Sequence, residues 1–164
     1  MSKLFDPLGI LGPIVITAKV FVQQLWKAKL SWDEELPSSL CAMWEDYRRS
    51  LTPLGTLAIS RLVKVPDFGK IIQLHGICDA SQTAYGACIY IRSVGKNGIV
   101  LTRFLTAKSR VAPIQTLSIP RLELCSAVLL SHLYQTVMLH LNRKRSIHPL
   151  LVADETHPYR GLLP

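Results

Sequence analysis

Three carboxylates stand at the ends of apolar runs in the second half of this chain: Asp79, Glu123 and Asp154. Asp79 closes Lys70–Asp79, rich in β-branched residues. Glu123 is expected in the first turn of a long apolar helix pattern, and Asp154 follows the short run His148–Ala153. Carboxylates that converge can hold a divalent cation through hard oxygen ligands, and strand ends in mixed sheets are common places for such convergence. On a helical wheel Leu130, Tyr134, Val137 and Leu141 fall within about 40° of Glu123, which predicts that Glu123 shares the buried stripe. A carboxylate facing a core needs a cation or a protonated neighbour. Each acid also has a plainer reading. Asp79-Ala80-Ser81 suits an Asx turn, Glu123 complements a helix N-terminus, and Asp154 suits a solvated chain end.

Four cations flank these acids. Arg103, Lys108, Arg110 and Arg121, around the third strand and the helix start, suit a phosphate-binding surface, with a solvated cationic face as the alternative. The histidines His75, His132, His140, His148 and His157 show no metal-ligand spacing and read as structural or exposed. The chain lacks G-x-S-x-G, G-x-x-x-x-G-K-[ST], H-E-x-x-H and the Asp-Thr/Ser-Gly of aspartic proteases, so hydrolases of those types are disfavoured.

The elements that must position these residues follow from periodicity. Pro13 opens a helical segment over residues 14–30, and Leu40, Met43, Trp44 and Tyr47 form one stripe of a second helix, with Pro37 in its first turn and Thr52-Pro53 as its stop. After Pro66 the pattern turns strand-like over 70–79, 85–92 and 99–107, with Gly95-Lys96-Asn97-Gly98 as a hairpin turn. A helix from Ser118-Ile119-Pro120 to about Leu141 and a strand at 148–153 complete an α+β (α/β) chain, a helical segment followed by a βββαβ unit. Residues 1–66 and 70–164 form the expected two parts.

The 164 residues, 49% of them hydrophobic, suffice for a core without disulfides or metal staples. With 19 Lys+Arg against 11 Asp+Glu the net charge is +8, which favours polyanionic partners. Cys41, Cys78, Cys88 and Cys125 stand far apart and read as buried free thiols in a reducing compartment. Pro13 and the absence of a cleavage pattern argue against a signal peptide, so an intracellular location, cytoplasmic or nuclear, is expected. The charge-free run from Leu124 to Asn142 could span a bilayer by length. His132, Gln135, Thr136 and His140 cluster on one side, which points to an amphipathic core helix and no membrane partner.

Six ordered strings add a resemblance: Leu4-Phe5-Asp6-Pro7-Leu8-Gly9; Ala18-Lys19 with Gln24-Leu25-Trp26; Trp32-Asp33-Glu34; Leu74-His75-Gly76 with Cys78-Asp79-Ala80-Ser81; Ala107-Lys108-Ser109-Arg110-Val111-Ala112-Pro113; and Ile119-Pro120-Arg121-Leu122-Glu123-Leu124. Over residues 3–142 the chain resembles the Pol polyprotein of BEL/Pao-type LTR retrotransposons. The resemblance implies that residues 1–66 are like the thumb or connection of reverse transcriptase, and that residues from 70 are like the first half of an RNase H domain. This region is often labelled a Pao peptidase. Without an Asp-Thr/Ser-Gly motif, that label fits the parent polyprotein and not this fragment.

RNase H enzymes use four carboxylates to hold two Mg²⁺ ions roughly 4 Å apart. By resemblance Asp79 matches the acid of the first strand, Glu123 the acid of the first helix and Asp154 the third. Around Asp154 this chain has Val152-Ala153-Asp154-Glu155 where the family shows a Trp-x-Asp-Ser type string. The fourth acid would follow beyond Pro164. The implied partners are an RNA–DNA hybrid and the remainder of Pol, and isolated catalysis is not expected. The alternatives are a remnant that binds nucleic acid without turnover, and a decayed insertion without selected function.

Overall fold

The computed structural model describes residues 6–60, 62, 63, 68–141 and 148–151. Two helices, α1 (Gly12–Ala28) and α2 (Ser38–Leu51), precede a 3₁₀ turn at Thr52–Thr56. Pro13 sits in the first turn of α1, where its missing N–H costs nothing. Lys29 ends that helix with φ 52° and donates its N–H to Trp26 O. Pro37 is the cap before α2 rather than its first turn, because its ψ of 143° is extended. Phe21 stacks on Trp44 with ring centroids 5.6 Å apart, which ties the two helices together.

The βββαβ order is present as β1 (Phe68–Ala80), β2 (Ala84–Gly95), β3 (Val100–Val111), α3 (Ile119–Leu141) and β4 (His148–Leu151). The sheet order is β3-β2-β1-β4, antiparallel except for the parallel β1–β4 pair. The β2–β3 hairpin closes as its sequence predicts: Gly98 takes φ 79°, and Gly95 N–H bonds Ile99 O at 2.7 Å.

One face of the sheet carries the core. Ile72, Leu74, Ala87, Ile89 and Ile91 pack with Leu129 and Leu130 of α3. Six of these are buried Ile or Leu side chains, at roughly 1.5–3 kcal/mol each, which makes this the main stabilising contact of the described chain. At Gly76 α3 comes so close that an added Cβ would stand 2.8 Å from Leu130 Cδ1, so this strand position accepts no larger residue without displacement. By length and composition α3 could cross a membrane, and here one of its faces is packed on β1 and β2.

The direction of α3 follows from topology. Val111 ends β3 opposite Ala84, and Tyr85 pairs with Ala80, so β3 finishes at the Asp79 end of β1. α3 therefore starts at that end and runs back along the sheet, because β4 restarts beside Gln73, parallel to β1. The helical segment joins the opposite edge of the sheet. Leu8 O accepts from Ala107 N–H of β3 at 2.8 Å, and Gln23 Nε2 donates to Ala112 O at 2.6 Å.

Not all thiols are buried as expected. Cys41 is exposed on α2, and Cys78, Cys88 and Cys125 are half-buried; all four are free.

Candidate functional site

Asp79 is the penultimate residue of β1 and is exposed. Its Oδ1 accepts the N–H of Ala80 at 2.8 Å. The turn from β1 to β2 is built by Ser81 instead: its N–H bonds Ala84 O at 2.8 Å, its Oγ donates to the same carbonyl at 3.0 Å, and its Oγ accepts from Thr83 and Ala84 N–H. The Asx-turn reading of Asp79 therefore fails, because the neighbouring hydroxyl does that work. Across the sheet Asp79 is level with Gly86 and then Ser109. Both are small, so nothing bulky screens the carboxylate on that row.

Glu123 corrects two expectations. It is the fifth residue of α3, beyond the first turn, which contains no acid. It is also exposed, whereas Leu122, Ser126, Leu129 and Leu130 are buried. These four place the centre of the packed sector about 75° round the wheel from Glu123, so that the glutamate sits on its margin. The partly buried Tyr134, Val137 and Leu141, which share Glu123's sector, pack against the core from the middle and far end of the helix. Glu123 is therefore not a core-facing charge.

The level of the two acids can be worked out from the Gly76–Leu130 contact. Leu130 is seven residues after Glu123, about 10 Å of helix. Asp79 is three residues beyond Gly76, about 10 Å of strand. With α3 antiparallel to β1, the two acids occupy the same end of the sheet at about the same height. They do not occupy the same layer. Ile72, Leu74, Gly76 and Cys78 pair with Ser93, Ile91, Ile89 and Ala87 on the α3 face, which puts Asp79 on the other face by strand alternation. An ion touching both would sit off the end of the strand. Among the described residues no three His, Cys, Asp or Glu side chains cluster as a metal site. Asp154 lies outside the described residues.

The four cations divide. All are exposed. Arg110 and Lys108 pair with Tyr85 and Ala87, on the α3 side of the sheet and toward the acid end, where Arg121 also stands in the first turn of α3. Arg103 pairs with Ile91, roughly 20 Å farther along β3. Lys108, Arg110 and Arg121 thus stand toward the acid end, and Arg103 stands apart from them.

Among the histidines, His132 and His140 are exposed. His75 is half-buried, with a buried Nε2 that has no hydrogen-bond partner. Strand alternation puts it with Tyr90 on the face away from α3. The Tyr134 hydroxyl is also buried without a partner, and burial raises its pKa. Burial, then the neighbouring Cys78, pushes the Cys88 thiol up to about 11, which makes it a poor nucleophile at neutral pH. Nothing in the residue types alone marks these three groups; their isolation depends on packing.

A family model described as the Pao retrotransposon-like RNaseH-like domain matches residues 1–150. The chain belongs to this family. No curated protein matches it. The Pao match covers the helical segment as well as the sheet, in keeping with the hydrogen bonds that join α1 and its leading turn to β3. It describes an RNase H-like domain, which agrees with the missing protease motif.

Proposed function

We propose that this Pao-family domain carries part of a site that cuts the RNA strand of an RNA–DNA hybrid, with Asp79 and Glu123 as magnesium ligands. The observation that carries the reading is their placement: one ends the first strand, the other lies near the start of the crossover helix, and both reach the same height at one end of the sheet. Asp154 is proposed as a third ligand from chain spacing. Gln73 pairs with His148 and Gly76 with Leu151, an offset of 75 residues, and Asp154 is 75 residues after Asp79.

The donor chemistry suits Mg²⁺, which favours hard oxygens and completes its shell with water and substrate phosphate. The donor number among the described residues does not, since no three-ligand cluster forms there. A bound pair of ions would activate water and stabilise the leaving oxygen. What the chain's own residues contribute is narrower: two accessible carboxylates at one end of the sheet, and Lys108, Arg110 and Arg121 at that end on the α3 side, proposed to hold a phosphate backbone that passes Glu123, with Arg103 farther along β3. The remainder of Pol is the proposed source of the missing ligand and support, and the helical segment is proposed as the end of a reverse transcriptase.

The test has two readouts. Mn²⁺ added to the isotope-labelled chain is expected to broaden amide signals at residues 78–80 and 122–124, and Asp79→Asn or Glu123→Gln to abolish that broadening. Cleavage of a labelled hybrid is expected only when the rest of Pol is supplied, and is lost in both variants. Metal broadening that neither substitution affects would overturn the site. A second reading, binding without turnover, is favoured by the exposed cations Lys108, Arg110 and Arg121 at one end of the sheet. It predicts hybrid affinity that falls steeply with salt while no metal is bound.

A further inference from the structure

β3 is the edge strand of the sheet on the side away from β4. Such an edge offers unpaired N–H and C=O groups to any other strand unless something covers it. Here residues 6–11 cover it. Ala107 N–H donates to Leu8 O at 2.8 Å, and Gly9 lies against the carbonyl of the same residue. A Cβ on Gly9 would stand 2.0 Å from Ala107 O and 2.7 Å from its carbonyl carbon, both rigid backbone atoms, and Gly9 has φ +72°. Only glycine combines that conformation with that approach.

Asp6 folds the segment. Its carboxylate accepts Ile10 N–H at 3.0 Å through Oδ1 and Leu11 N–H at 2.8 Å through Oδ2, and its carbonyl accepts Gly9 N–H at 3.3 Å. Gly12 N–H then bonds Gly9 O at 3.1 Å and α1 begins. That helix follows the same edge until Gln23 Nε2 reaches Ala112 O. The two contact points, Ala107 and Ala112, bracket the last five residues of the strand and its exit.

We propose that the Asp6-Pro7-Leu8-Gly9 turn is an edge guard: it occupies the outward N–H of Ala107 and covers that residue's carbonyl, seats α1 beside β3, and so prevents the β3 edge from pairing with that of a second copy of this chain. Asp6 and Gly9 are positioning residues; Leu8 supplies the bond. Arg103, Lys108 and Arg110 on β3 repel a second copy at low salt, so the guard matters most when salt screens them.

The test uses the full chain. Hydrogen exchange at the Ala107 amide is expected to accelerate at least about tenfold in Gly9→Val, while amides of β1 and β2 keep their wild-type protection. The same variant is expected to show concentration-dependent growth in mass by sedimentation velocity at roughly 0.5 M salt, where charge is screened. Gly12→Ala, with nothing within 4 Å of its added Cβ, should match the wild type in both. Asp6→Ala removes the two carboxylate bonds without adding atoms, so it provides the reading if Gly9→Val unfolds the sheet. Wild-type protection of Ala107 in both variants would overturn the docking role, and release without self-association would overturn the guarding role.

Discussion

Gly76→Ala tests the contact on which the geometry of the acids depends. The added methyl would meet Leu130 Cδ1 at 2.8 Å, Cδ2 at 3.2 Å and Cγ at 3.3 Å. Carbon atoms prefer about 3.5–4.0 Å, so one contact is short by roughly 0.7 Å or more and two by a few tenths. Leu130 is 5% exposed and enclosed by the core, which leaves it little room to turn away. Overpacking of this kind costs about 1–3 kcal/mol, and the stiffer unfolded chain of alanine returns about 0.4–1 kcal/mol. The net expectation is a loss of about 1–2 kcal/mol. Leu130→Ala alone should cost about 2–5 kcal/mol through the cavity it leaves.

Together the two changes should cost less than their sum by about 1–2 kcal/mol, because the methyl on residue 76 then enters the space that Leu130 vacated. Urea unfolding followed by circular dichroism gives all four stabilities. Gly76→Ala with wild-type stability, or strict additivity within about 0.5 kcal/mol, would refute the close seating of α3 on β1 and with it the shared height of Asp79 and Glu123.

Other consequences can be checked separately. Because Ser81 carries the β1–β2 turn, Ser81→Ala should cost about 1–2 kcal/mol, whereas Asp79→Asn should change unfolding stability by less than about 0.5 kcal/mol. On α3 the neighbours Leu122 and Glu123 should differ sharply: Leu122→Ala costs about 2–5 kcal/mol and Glu123→Gln almost nothing by denaturant titration, since the leucine is 1% exposed and the glutamate open to solvent. The Cys88 pKa is raised from 9.0 to about 11, so the folded chain holds that proton more tightly. The resulting stability is complete below pH 9 and is lost as pH rises toward 11, by about 2–3 kcal/mol, and Cys88→Ala should remove that part of the pH profile. Replacing Lys108 or Arg110 with alanine should lower the salt dependence of hybrid binding by about one phosphate contact each in a fluorescence anisotropy titration, while Lys29→Ala on α1 should not.

Much of this was legible along the chain. Pro13, the 3.6-residue stripes and the loss of charge after Leu124 mark the helices. β-branched runs and Gly95-Lys96-Asn97-Gly98 mark the strands and the turn between β2 and β3. Those signals are local: each depends on backbone preferences and spacing within one element. The strings around Asp6, Asp79 and Glu123 also carried the family, which the match over residues 1–150 bears out.

The faces were not legible in the same way. A wheel gives angles between residues of a helix but not the angle at which the helix meets its sheet, so Glu123 could be placed on a stripe and still emerge at its margin. Alternation likewise separates Asp79 from Cys78 without saying which of them faces α3; pairing with Gly86 and Ala87 decides that. The role of Asp6 and Gly9 depends on Ala107, about a hundred residues away, and no local pattern encodes that approach. The sequence by itself determined the elements, their order and the residues capable of chemistry. Only the tertiary structure decided which of those residues are exposed and on which face, because burial is a property of two surfaces meeting, and a single element carries only one of them.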